Sequence, residues 1–175
     1  LALTTNGTLL AGQAHSLKKA GLDRINISLD TLDPVTYSRI TRGGDLSKAL
    51  EGIDAAVAEG FPIKINMVRP EDGTDSDLDE MRSFCDKLGM KLQLIRQYSL
   101  TSGKQDGPDY DRPSPCEACN RIRLLADGTL KPCLHSNHEI EVDMNDLRGS
   151  FEQAISAKPE KGSVCTERGM IEIGG

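Results

Sequence analysis

Tryptophan is absent, and three Tyr with three Phe are the only aromatic side chains in 175 residues, so any core has to be aliphatic. No apolar run approaches the roughly 20 residues that a membrane-spanning helix needs, and no charged-then-apolar leader opens the chain. Positive charge is in deficit, with 21 Lys and Arg against 27 Asp and Glu. The resulting net charge of -6 argues against generic binding to a nucleic-acid backbone. Five cysteines cannot all pair, and three of them cluster. They read as metal ligands in a reducing, cytoplasmic compartment rather than as a disulfide framework. What remains is chain enough for one ordinary domain, or one with a small extension.

The first hundred residues alternate short β-branched runs with helical patterns, the signature of repeated βα units around a parallel sheet. Strands are expected at Leu1–Thr5, Arg24–Leu29, Ile63–Val68 and Lys91–Tyr98. Helical periodicity runs over Leu9–Ala20 and Leu46–Glu59, closed by Gly21 and Gly60, where a left-handed cap is cheap. A third helix is expected to be capped by Asp75 or Ser76, with Leu78, Met81, Phe84, Cys85 and Leu88 inward. Asp33-Pro34 reads as a turn and 70–74 as a loop. From Ser99 a polar, breaker-rich stretch reads as a linker. Beyond it, Ala126-Asp127-Gly128 between Ile122–Leu125 and Thr129–Pro132 predicts a hairpin, and a short helix is expected over Met144–Ser156. The tail from Lys158, rich in Gly, Lys and Glu without periodicity, reads as a disordered terminus. The expected organisation is thus 1–98, a linker over 99–115, and 116–175.

Cys116 and Cys119 are separated by two residues, and Cys133 lies fourteen positions further on, where the hairpin can return it toward the pair. A structural zinc knuckle, a redox pair and an iron-sulfur cluster all fit such spacing. Three thiolates with no evident fourth partner suggest a cluster with one iron open to a ligand. Arg121 and Arg123, two apart on a strand-like run, place both guanidiniums on one face. There they can hold a polyanion such as a triphosphate; solvated hairpin charges are the plainer alternative. Lys64, between Ile63 and Ile65, points away from their face, either to a sheet edge or into a polar lumen. Thr4 and Ser28 stand at strand carboxyl ends, where open sheets and barrels collect ligands, and otherwise read as turn caps. Cys85 reads as a small core residue, Cys165 as a candidate fourth thiolate, and His135 and His138 as surface or supporting residues rather than ligands.

The run Cys-x2-Cys-Asn-Arg-Ile-Arg-Leu-x-Ala-Asp-Gly-x-Leu-x-Pro-Cys-Leu over 116–134 resembles the carboxy-terminal cluster motif of the MoaA family. These are the GTP cyclases of molybdenum-cofactor biosynthesis, within the radical S-adenosylmethionine (SAM) superfamily. Leu3-Thr4-Thr5-Asn6-Gly7, the run from Asp23 to Leu32, Ile63-Lys64-Ile65-Asn66 and the terminal Ile173-Gly174-Gly175 resemble the same family.

The resemblance implies an α/β fold, in which the βα units are the later ones of a partial (β/α)6 barrel, followed by a small carboxy-terminal iron-sulfur hairpin domain. It implies SAM contacts at Thr4 and Ser28, and phosphate contacts at Lys64, Arg121 and Arg123. Cys116, Cys119 and Cys133 would carry an auxiliary 4Fe-4S cluster whose open iron meets the guanine edge. Gly174 and Gly175, without side chains, would approach the substrate closely. In the full-length enzyme, a lyase, a second 4Fe-4S cluster would cleave SAM. The resulting radical would take the ribose 3′ hydrogen of GTP, and attack on C8 would give the cyclic pyranopterin precursor. The implied partners are GTP, an amino-terminal barrel half, a downstream synthase that consumes the cyclic precursor, and a second copy in a homodimer.

The family's Cys-x3-Cys-x2-Cys and Gly-Gly-Glu-Pro motifs do not occur in these 175 residues. The chain is therefore expected to be a carboxy-terminal part, inactive alone. Gln93 stands where the family usually has a substrate-contacting Arg, and Arg96 faces the other side of an unbulged strand. The segment leading to Cys116 is also shorter than the family's. Two other classes stay open: a different radical SAM enzyme with an auxiliary cluster, and a non-enzymatic metal-binding module.

Overall fold

Alternating burial builds the first sheet. Strands β1 (Ala2–Thr5), β2 (Arg24–Ser28), β3 (Ile63–Arg69) and β4 (Lys91–Arg96) lie in sequence order, each parallel to the next. The connections carry helices α1 (Ala14–Lys19), α2 (Pro34–Ile40), α3 (Leu46–Ala58) and α4 (Asp75–Lys87). This is the expected α/β architecture. It is described by a computed structural model covering residues 1–69, 74–97, 99–101, 110–111, 115–170 and 172–173. The chain divides into two compact units, Leu1–Gln97 with Asp109–Arg112, and Tyr98–Pro108 with Pro113–Gly175. Among the described residues no helix is long and apolar enough to cross a membrane.

In the first unit, Ile25, Ile27, Ile63, Ile65, Met67 and Leu94 alternate along their strands and pack with Ala49, Ile53 and Ala56 of α3 and Leu78, Met81 and Cys85 of α4. Each such large apolar side chain contributes about 1.5–3 kcal/mol by leaving water, so one sheet face and two helices hold the unit together. Three local expectations need correction. The helix expected over Leu9–Ala20 is broken into a 3-10 turn at Leu10–Gly12 and α1. Asp33-Pro34 opens α2 rather than a simple turn: Asp33 Oδ1 accepts from Thr36 N at 2.7 Å. Proline at the first helical position sacrifices no hydrogen bond. The cap of α4 is Thr74, not Asp75 or Ser76, in a reciprocal box with Asp77. The end of the fourth expected strand at Tyr98, and residues 70–73 of the expected loop, lie outside the described residues.

Gly52 of α3 gives this core a testable weak point. A Cβ built there would run into the Gly7 carbonyl in the turn after β1 and approach Leu10 Cβ at 3.1 Å. In an exposed helix alanine is favoured over glycine by about 1 kcal/mol, but here overpacking against backbone reverses the sign. Gly52→Ala is expected to cost about 1–3 kcal/mol, read as a lower urea midpoint. An unchanged or raised midpoint would show that the turn yields at no cost.

The second unit holds β5 (Arg123–Leu124), β6 (Thr129–Lys131) and β7 (Ile140–Glu141), antiparallel in that order, and α5 (Leu147–Ser156). The expected hairpin forms, with Gly128 at φ 87° in the left-handed region that an Asp-Gly turn requires. Helix α5 starts at Leu147 rather than Met144, because Asp146 caps it through Gly149 N at 2.9 Å. Leu130, Ile140 and Ala154 make one small core.

The tail overturns its reading as a disordered terminus. Cys165 and Ile173 are buried with Leu100 and Leu125 in a second apolar cluster. Thr166 N donates to Asn137 Oδ1 at 2.8 Å. The Arg168 guanidinium binds both oxygens of Glu139 and reaches Asp127 at 2.6 Å. These bonds hold the segment, whose described residues after Ser156 form no helix or strand.

Candidate functional site

In the first unit the strand positions opposite in parity to the core form a second, polar face. Thr4 is in register with Asn26, Asn26 with Lys64, Ser28 with Asn66, and Asn66 with Gln93. Thr4, Ser28 and Lys64, singled out from three separate stretches of sequence, therefore share one side of the sheet. Thr4 and Ser28 are exposed, and Lys64 is half-buried. Asn26 Nδ2 donates to Thr4 Oγ1 at 3.2 Å. The Asn66 side-chain oxygen is buried with no hydrogen-bond partner among the described residues, and such an atom favours a donor brought by a ligand or water. Asn26 and Asn66 were not singled out from sequence. The available signal was a polar residue at every second position of an otherwise apolar parallel strand, a pattern that calls for a polar lining.

Beside this face Asp30 follows β2 and accepts from Val68 N at 2.8 Å. Burial pushes its carboxyl up from the ordinary value, and the Val68 hydrogen bond only partly offsets this. On the core side the Cys85 thiol, 1 % exposed, is pushed up to about 11 by burial. It is a packing residue, as its place on the apolar helix face predicts.

In the second unit, one five-residue segment, Lys158–Gly162, makes polar contacts to two of the clustered cysteines and borders the third. Lys158 Nζ lies 3.5 Å from Cys119 Sγ. Gly162 N donates to Cys116 Sγ at 3.5 Å. A Cβ on Gly162 would stand 3.1 Å from Cys133 Sγ and 2.9 Å from His135 Cβ, so glycine leaves room that any other residue would fill. All five cysteines are present as thiols. Among the described residues no three Cys, His, Asp or Glu side chains close around a point that could hold one metal ion. A 4Fe-4S cluster is larger than one ion and spreads its thiolates over separate corners. Three soft thiol donors, with the Lys158 ammonium beside Cys119, the Gly162 N–H on Cys116 and a bare glycine beside Cys133, are the donor chemistry that such a group takes.

The arginines stand on the same hairpin. Arg123 is half-buried in β5, opposite Lys131. Arg121 is exposed and precedes the strand, its carbonyl accepting from Lys158 Nζ at 2.9 Å. Cys165 is fully buried, its side chain packed in the aliphatic cluster with Leu100, Leu125 and Ile173. His135 is 2 % exposed, which leaves the supporting role of the two read for it and not the surface one, whereas His138 is exposed. Gly174 and Gly175 lie outside the described residues.

The sequence is similar to those of known proteins. The Radical SAM superfamily model matches residues 1–85. A GTP 3′,8-cyclase of Alkaliphilus oremlandii is 35% identical over 231 residues, spanning 100% of this chain and 72% of the relative. One of Petrotoga mobilis is 34% identical over 235 residues, with the same coverage of both chains. One of Sinorhizobium medicae is 34% identical over 218 residues, covering 91% of this chain and 61% of its own length. The aligned stretches are longer than the 175-residue chain, so some positions of these relatives have no counterpart in it.

Proposed function

The chain belongs to the MoaA family of GTP 3′,8-cyclases within the radical SAM superfamily, and on that premise we propose that it supplies the substrate and auxiliary-cluster sites of a GTP-cyclising lyase of molybdenum-cofactor biosynthesis. The observation that carries the reading is that the single segment Lys158–Gly162 contacts the Cys119 and Cys116 sulfurs and keeps the space beside the Cys133 sulfur clear. Those three cysteines hold a 4Fe-4S cluster. When bound, that group supplies an iron open to a nitrogen or oxygen of a purine.

The rest of the work is positioning and charge. Arg121 and Arg123 hold the triphosphate through charge-assisted hydrogen bonds. On the polar sheet face of the other unit, Thr4 and Ser28 contact SAM and Lys64 binds a phosphate group. Asn66 adds a buried acceptor to that face. Gly174 and Gly175 approach the substrate, an assignment that rests on family resemblance alone. Gln93, a neutral amide in register with Asn66, favours one second reading: a radical SAM enzyme of the same build acting on a less charged substrate.

Anaerobic reconstitution with iron and sulfide is the test. The chain is expected to take up about four irons in one cluster, and one tightly bound zinc with little iron would sink the reading. Because these 175 residues contain no Cys-x3-Cys-x2-Cys, the loaded chain is also expected to form no 5′-deoxyadenosine from SAM under dithionite. Its appearance would refute the claim of inactivity in isolation.

A further inference from the structure

Lys158 crosses the hairpin from outside it. Its ammonium donates to Arg121 O at 2.9 Å and Pro132 O at 3.1 Å, and lies 3.5 Å from Cys119 Sγ. The two carbonyls belong to opposite arms of the cysteine region, one two residues after Cys119 and the other one residue before Cys133. A single side chain thus fixes the spacing of the arms and sets a positive charge against one sulfur. Four residues on, Gly162 gives its N–H to the Cys116 sulfur and spares the space beside the Cys133 sulfur. The segment is anchored in turn by Ser163 N, which donates to His135 O at 2.7 Å.

The geometry points to Lys158 as a positioning residue that governs how tightly the three-cysteine site keeps its cluster and at what potential the cluster is reduced, with Gly162 as its companion. This rests on the reading of Cys116, Cys119 and Cys133 as cluster ligands. Thiolate-ligated clusters carry net negative charge. A cation and N–H donors directed at the sulfurs stabilise the reduced, more negative form and so raise the potential. Three ligands hold a cluster less firmly than four, which leaves its retention dependent on how well the arms are held. The carbonyl to Lys158 also fixes the backbone at Arg121, so the same ammonium couples the cluster to a neighbouring guanidinium.

The test uses the full 175-residue chain, reconstituted anaerobically, with Lys158→Gln, Lys158→Arg and Gly162→Ala beside the parent. Iron release to a chelator and the potential from an EPR-monitored titration are measured. Lys158→Gln is expected to release iron about tenfold faster or more, the low end for loss of an outer partner of a metal ligand, and to shift the potential negative. Lys158→Arg, which keeps the charge, should return the potential toward the parent. Gly162→Ala should lower iron uptake, because its methyl meets the Cys133 sulfur. If the parent loads a cluster and Lys158→Gln matches it in both release rate and potential, Lys158 only ties the hairpin and the inference is overturned while the cluster reading stands. If the parent loads no cluster, both fall. Should Lys158→Gln fail to fold by circular dichroism, unchanged iron uptake by Gly162→Ala would overturn the inference.

Discussion

Glu139→Ala is expected to destabilise the second unit by about 3–5 kcal/mol, the cost of leaving a buried charge without its partner. The charge is Lys131: its side chain is 0% exposed, and its ammonium binds Ser136 O at 2.7 Å and Glu139 Oε1 at 3.0 Å. The same carboxylate binds Arg168 Nη2 at 2.6 Å, so the substitution strips one buried cation and loosens the tail together. A urea or thermal melt reads the loss, and a change under about 1 kcal/mol would show that water replaces the carboxylate at Lys131.

Acid should reproduce part of the effect. Thr129 and then Arg168 hold the Asp127 carboxyl down to about 2, and Arg168 foremost holds Glu139 below its ordinary value. Carboxylates lowered on folding stabilise fully above their unfolded range, near pH 4 to 4.5, and lose that contribution as pH falls toward their folded values. Stability should therefore drop between about pH 4.5 and 2, and the drop should be shallower in Glu139→Ala.

Arg121→Ala and Arg123→Ala are each expected to weaken GTP binding to the cluster-loaded chain by roughly 1.5–3 kcal/mol, the range for hydrogen bonds to a charged group. That is about a tenfold to hundredfold rise in Kd, with iron content unchanged because neither residue offers sulfur to the cluster. Arg121 is held through its carbonyl by Lys158 and leaves its guanidinium exposed, which suits a group waiting for an anion. Should both variants bind GTP like the parent, the triphosphate assignment fails, and the second reading, a less charged substrate, takes its place.

Much of this was legible before any coordinates. Strand alternation at Ile25, Ile27, Ile63 and Ile65 fixed a parallel α/β unit, because period-two burial and glycine-closed helices are local signals. The Asp127-Gly128 turn announced the hairpin for the same reason. Spacing and resemblance brought Cys116, Cys119 and Cys133 into one proposal, and put Thr4, Ser28 and Lys64 into another. The helix start at Asp33 is not legible in the sequence because an Asp-Pro pair serves equally as turn and as cap.

What the chain determined by itself, then, was everything carried by neighbours a few residues apart: strands, helices, the turn and the cysteine motif. Tertiary structure alone decided that Lys158 and Gly162 meet those cysteines 29 to 46 residues away, that Arg168 clamps Glu139, and that Cys165 lies in an aliphatic core. It also decided that Asn26 and Asn66 join Thr4 and Lys64 on one face. The sequence of the tail has no period to betray its order. Its order comes from hydrogen bonds and ion pairs to distant residues, whose partners no local pattern specifies.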